Sequence, residues 1–171
     1  MTLTAPWRKL VLVLHVTSSV GFTGAVAGFL ALGIVGLTST GPLAAAVYPA
    51  MQVITWYVIV PLAASSLLIG IIQSLGTPWG LVRYYWVIIK LALTFLALAV
   101  LMLQTQSIDM LAQAALQGTL GDYASARFSM VLHGSGGIVV LLTATVLSVY
   151  KPRGMTEYGA RAIVADRASL T

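Results

Sequence analysis

Three ionisable side chains, His15, Lys90 and His133, stand inside apolar runs of this 171-residue chain. Such a group costs several kcal/mol to place in an apolar setting, so each is a candidate for chemistry. In RFSMVLHGSGGIVVLL (residues 127–142), Met130 precedes His133 by three residues and Gly137 follows it by four. That spacing puts all three on one helix face. Gly134, Gly136 and Gly137 leave room beside the ring for something large. Met51, Met102, Met110 and Met130 map to the same half of the spans, and thioether sulfur with imidazole suits soft Cu(I). One reading is a metal site of His133, Met130 and Met51. The other is a packed imidazole among methionines that fill gaps.

The second constellation differs in kind. Arg83 and Lys90 are seven residues apart with Trp86 between them, so on a helix they share a face. No Asp or Glu precedes Asp109, which leaves Lys90 without a carboxylate in its half of the chain. It must reach the interface, bond oxygens of its own chain, or meet an anion from outside: a lipid phosphate, a fatty carboxylate, a haem propionate or another subunit. His15, with Ser18 and Ser19 one turn on, lies at comparable depth. An imidazole with two cations suits a haem held through His15 with propionates on Arg83 and Lys90, or a quinone. A snorkelling lysine and a serine-bonded histidine form the plainer reading. His15 and His133 each lie roughly 7 Å inside opposite edges of the apolar zone, hence about 15 Å apart along its normal. They are expected to serve two separate sites.

Composition says what must hold these residues. The chain is 59% hydrophobic and only 8% charged, the balance of an integral membrane protein. A spanning helix needs about 20 mostly apolar residues. Leu10–Leu37, Pro49–Ser74, Leu81–Leu103 and Phe128–Tyr150 satisfy this. The expected fold is all-α: a single polytopic domain over 1–158, a four-transmembrane-helix bundle with a cytoplasmic tail over 159–171. The first apolar run is too long for a signal-peptide core and is expected to remain as the first helix. With no cysteine, disulfides and thiolate metal sites are excluded.

The net charge of +5 does not point to nucleic acid, because the basic residues flank the spans. Arg8, Lys9, Arg83, Lys151, Arg153, Arg161 and Arg167 fall on one side. The positive-inside rule then predicts both termini in the cytoplasm, N-in/C-in, in a bacterial cytoplasmic membrane. Arg127 is the exception. In the outer connection, Ile108, Leu111, Ala112, Ala115 and Leu116 recur at helical spacing after Ser107. They predict a short amphipathic helix on the outer surface or capping the bundle. Pro61 predicts a kink that releases the carbonyl of Tyr57. Gly24 and Gly28 form GxxxG, which suits either packing inside the bundle or docking of a second copy or a larger complex.

Some classes lack machinery. No Ser–His–Asp set, HExxH or phosphate loop occurs, and no carboxylate falls within the four expected spans. A conventional enzyme and a small proton-coupled exporter are both disfavoured.

LHVTSSVGFTGAVAGFLALG, RYYWVIIKLALT and LHGSGGIVVLLTATVLSVYKPRG, within residues 7–158, resemble an uncharacterised family of small four-helix actinobacterial membrane proteins. More distantly they resemble the membrane domain of CopD-type copper-resistance proteins, which also open a helix with a histidine followed by small residues. Phe22 stands where those helices usually carry tryptophan, and this chain has half their spans. The resemblance implies a polytopic fold without an assigned activity. The functional expectation is a membrane protein that binds or handles haem b or copper within the bundle. Its alternative is an accessory subunit, or a lipid-binding protein with anionic lipid at Arg83 and Lys90.

Overall fold

The computed structural model describes residues 3–77 and 79–168, with side chains of 163–168 left aside. Pro78 of the GTPWG turn, the Arg167 side chain and the tail residues 169–171 thus lie outside the described part. Six α-helices follow in order: α1 (Ala5–Thr38), α2 (Gly41–Ile54), α3 (Val60–Leu75), α4 (Tyr85–Gln117), α5 (Ala124–Tyr150) and α6 (Glu157–Ala168). A π-helical turn, Thr55–Ile59, fuses α2 and α3 into one span, and a 3₁₀ turn, Leu120–Tyr123, leads into α5. Four helical stretches are long and apolar enough to cross a bilayer: α1, Gly41–Leu75, α4, and Leu120–Tyr150. They pack as a ring in chain order, with α1 against α5 closing it. Apolar side chains such as Val20, Leu103, Val139 and Val149 point outward, as lipid-facing residues do.

Local signals account for the boundaries. Pro6 and Pro42 fall in first turns, where a missing N–H removes no helix bond. Only Ser39 and Thr40 therefore separate the first two spans, and the stretch before Pro49 is helix where a connection was expected. Gly118 adopts the left-handed conformation that ends α4, with the Thr119 N–H donating back to the carbonyl of Ala114 at 3.0 Å. Just before Pro61 the helix carries the π-turn, in which the Val60 N–H reaches back five residues to Thr55.

The separate amphipathic helix is not formed. Nothing between Leu103 and Gln117 breaks a helix, so α4 runs through Ser107 without interruption. Ile108, Leu111, Ala112 and Ala115 are buried inside the bundle rather than laid on its surface. At 31 to 35 residues and about 1.5 Å per residue, the spans exceed the roughly 30 Å of hydrocarbon. Beyond the apolar runs of the sequence, the added helical residues of α2, α4 and α5 lie at the end of the bundle away from both termini. There Tyr48, Met51, Leu111 and Met130 are each 1% exposed. We refer to this as the far end, and to the opposite one as the terminal end.

Candidate functional site

Between α1, α4 and α5 lies a cavity of about 370 Å³, within the range of small-molecule sites. Phe22, Val26 and Phe29 form its floor, and Ile59 of the π-turn closes one side. Its mouth lies between α4 and α5, where Leu96, Leu132, His133 and Gly136 are exposed toward lipid. Gly136 and Gly137 create the space by omission. A Cβ on Gly136 would touch nothing within 4 Å, and one on Gly137 would meet only Val26 at 3.5 Å.

Among the lining residues only Gln104 and His133 are polar and side-chain bearing. Both sit toward the far end, and Leu96 and Val140 line the opposite part, roughly 10–12 Å along the helices. The Nδ1 of His133 lies 2.8 Å from the carbonyl of Ser129 and 3.0 Å from its hydroxyl. A carbonyl only accepts, so Nδ1 carries a proton toward it, and in the neutral ring Nε2 then holds the free lone pair. No protein group among the described residues meets that lone pair or the amide of Gln104.

A different arrangement surrounds His15 at the terminal end. The ring presses on α3 at Gly70, where a Cβ would lie 2.9 Å from its Cε1. His15 lines a cleft of about 20 Å³ with Ser66, Ser74, Lys90 and Thr94, room for about one water. Its buried Nδ1 has no hydrogen-bond partner among the described residues. Ser18 donates to the His15 carbonyl at 3.0 Å, and Ser19 shares a 2.7 Å hydroxyl bond with Ser66. The serines therefore bond helix and neighbour, not the imidazole. Lys90 holds its ammonium 5.6 Å from the centre of the Trp86 ring one turn earlier, a cation–π contact.

The structure brings together some of the residues singled out by sequence and separates others. His15 and Lys90 share the small cleft, but Arg83 precedes α4 and does not line it. The expectation that Arg83 and Lys90 share a helix face fails, because the helix starts only at Tyr85. His133 and Met130 line the large cavity, whereas Met51 is packed in the core against the α1 backbone at Gly33. Among the described residues no three His, Asp or Glu side chains cluster as metal ligands. Gly24 and Gly28 do not pack inside the bundle: both are exposed, and a Cβ at either would meet nothing within 4 Å.

Three polar residues acquire roles that sequence did not assign. Gln104 ends the apolar run of the third span, which made it look like the start of a loop. Asp109 lies within α4, and its Oδ1 accepts from Gln52 at 2.8 Å and from the Trp56 indole at 3.0 Å. Arg127 donates to the Tyr48 hydroxyl at 3.0 Å and to the carbonyls of Gly36, Leu37 and Ser39 at 2.6 to 3.4 Å. It thereby caps the end of α1. No family model, curated protein or solved structure matches the chain.

Proposed function

We propose that the protein binds a membrane-soluble amphiphile in the cavity between α1, α4 and α5, anchored at His133. One observation carries this reading. The only two polar side chains in an otherwise apolar lining stand in its far-end half, and neither has a protein partner among the described residues. In a lipid setting, unmet polar groups are costly. A ligand with one polar head and an apolar body meets both at once. With Nε2 as acceptor, the head best suited donates a hydrogen bond, as a phenol or alcohol does; an isoprenoid quinol is of this kind.

The test uses Gly136→Leu, which fills the space where a side chain finds no obstruction. Wild-type protein extracted in mild detergent should release an amphiphile into organic solvent, and Gly136→Leu should release several-fold less at unchanged expression. Equal release from both would sink the reading.

A second reading rests on the same ring. An imidazole whose Nδ1–H is tied to a backbone carbonyl presents Nε2 in the way metal-bound histidines do, and Met130 lines the same cavity. Haem iron or Cu(I) at Nε2 accords with the likeness to copper-resistance membrane domains. A visible spectrum with elemental analysis of the purified protein tests it. A colourless, metal-free preparation that stays so after loading excludes it.

A further inference from the structure

At the terminal end the chain assembles a feature that the cavity does not involve. After α5, residues 151–156 cross the start of α4 and form a single antiparallel bridge, Tyr84 with Met155. The Tyr85 N–H donates to the Gly154 carbonyl at 3.3 Å, and the Thr156 N–H donates to the Arg83 carbonyl at 3.0 Å. The Thr156 hydroxyl adds a 2.7 Å bond to the Val82 carbonyl. This clasp brings the Lys151 ammonium to 5.2 Å from the centre of the Trp79 ring. Trp79 meets Trp86 edge-to-face at 5.7 Å, and Trp86 carries Lys90 on its face at 5.6 Å. Two ammonium groups thus rest on one pair of tryptophans in edge contact.

This arrangement works against itself unless something negative joins it. Lys151 is the one non-glycine residue with positive φ among those described, at 44°, a region that L residues enter at a cost. Among the described residues neither lysine has a carboxylate within 4 Å, and Glu157 is engaged by Arg161 at 3.5 Å. Each cation contributes an ammonium with three donors. Apolar side chains exposed beside the pair, Tyr85 and Ile89 on α4 and Val146, Val149 and Tyr150 on α5, offer a track for hydrocarbon.

We propose that Lys90 and Lys151 together hold the phosphate of an anionic phospholipid in the leaflet at the terminal end, with its acyl chains along α4 and α5. A phospholipid is favoured over free phosphate by depth: Lys90 lies about 8 Å along α4 from Tyr85, bordered by those apolar residues. Trp79 and Trp86 position the ammonium groups and are not themselves ligands.

The experiment compares wild type with Lys90→Met, Lys151→Met, and the charge-keeping Lys90→Arg/Lys151→Arg protein. Each is purified in mild detergent, and its bound phospholipid is quantified by mass spectrometry. Thermal unfolding is then followed in phosphatidylcholine vesicles with and without phosphatidylglycerol. Wild type and the arginine pair should retain anionic phospholipid and unfold at higher temperature in the vesicles containing phosphatidylglycerol. Each methionine variant should lose several-fold of the bound lipid and most of that upward shift. In phosphatidylcholine alone its unfolding temperature should match wild type, which separates lost binding from lost folding. Equal lipid retention by all proteins would overturn the proposal. So would inorganic phosphate reproducing the shift, since the site would then take a soluble anion.

Discussion

The two ends of the bundle treat their charges in opposite ways. At the far end the half-buried charges have partners: Arg127 has four acceptors and Asp109 two donors. At the terminal end, among the described residues, His15 Nδ1 and Gln73 Oε1 are buried with none, and Lys90 has only an aromatic face. Burial alone would rank these residues together. Counting partners separates a charge that fastens helices from one still lacking its counterpart.

That contrast is open to direct attack. Arg127→Met should be the most damaging change, because it leaves three carbonyls and the Tyr48 hydroxyl unmet at the end of α1. Hydrogen bonds to charged groups are worth about 1.5–3 kcal/mol, so a loss of about 3 kcal/mol is expected in equilibrium unfolding in detergent. A loss below about 1 kcal/mol would erase the distinction. Gly36→Val comes next: a Cβ there already falls 2.9 Å from the Tyr48 ring, and overpacking costs about 1–3 kcal/mol. A fall in unfolding temperature close to that of Arg127→Met would show that both act through Tyr48. His15→Leu should matter least, within about 1 kcal/mol of wild type or slightly stabilising, since it removes an unpaired polar atom. If it destabilised as strongly as Arg127→Met, His15 would have to be reassigned to holding the fold.

Much of the architecture was legible in the chain because lipid demands it: four long apolar helices follow from composition and length alone. Boundaries were less so. Pro49 and Gln104 read as ends of spans, yet helices carry through both, since the bundle extends past the apolar zone and buries Ile108 and Leu111 in its own core. The glycines after His133 foretold the space beside it, because missing side chains leave a gap whichever neighbour faces them. Which residue of another helix would share that gap depends on relative helix rotation, which no local pattern encodes. Spacing therefore gives no sign of Gln104 as a lining residue, and it groups Met51 with a His133 metal site whose cavity Met51 does not line. Arg127 stood out as a misplaced charge, but its acceptors are some 90 residues away and invisible to spacing.

The π-turn at Thr55–Ile59 has an effect along the whole second span. One extra residue in a turn offsets everything beyond it by about 100° around the helix axis. Upstream, Gln52 faces Asp109 on α4, where Trp56 of the turn itself joins it; downstream, Ser66 and Gly70 face Ser19 and His15 on α1. Removing a single residue from this turn would restore regular α-helical bonding yet make it impossible for both halves to keep their neighbours. The chain thus uses one inserted peptide unit as a phase shifter, letting a continuous rod address two different partners.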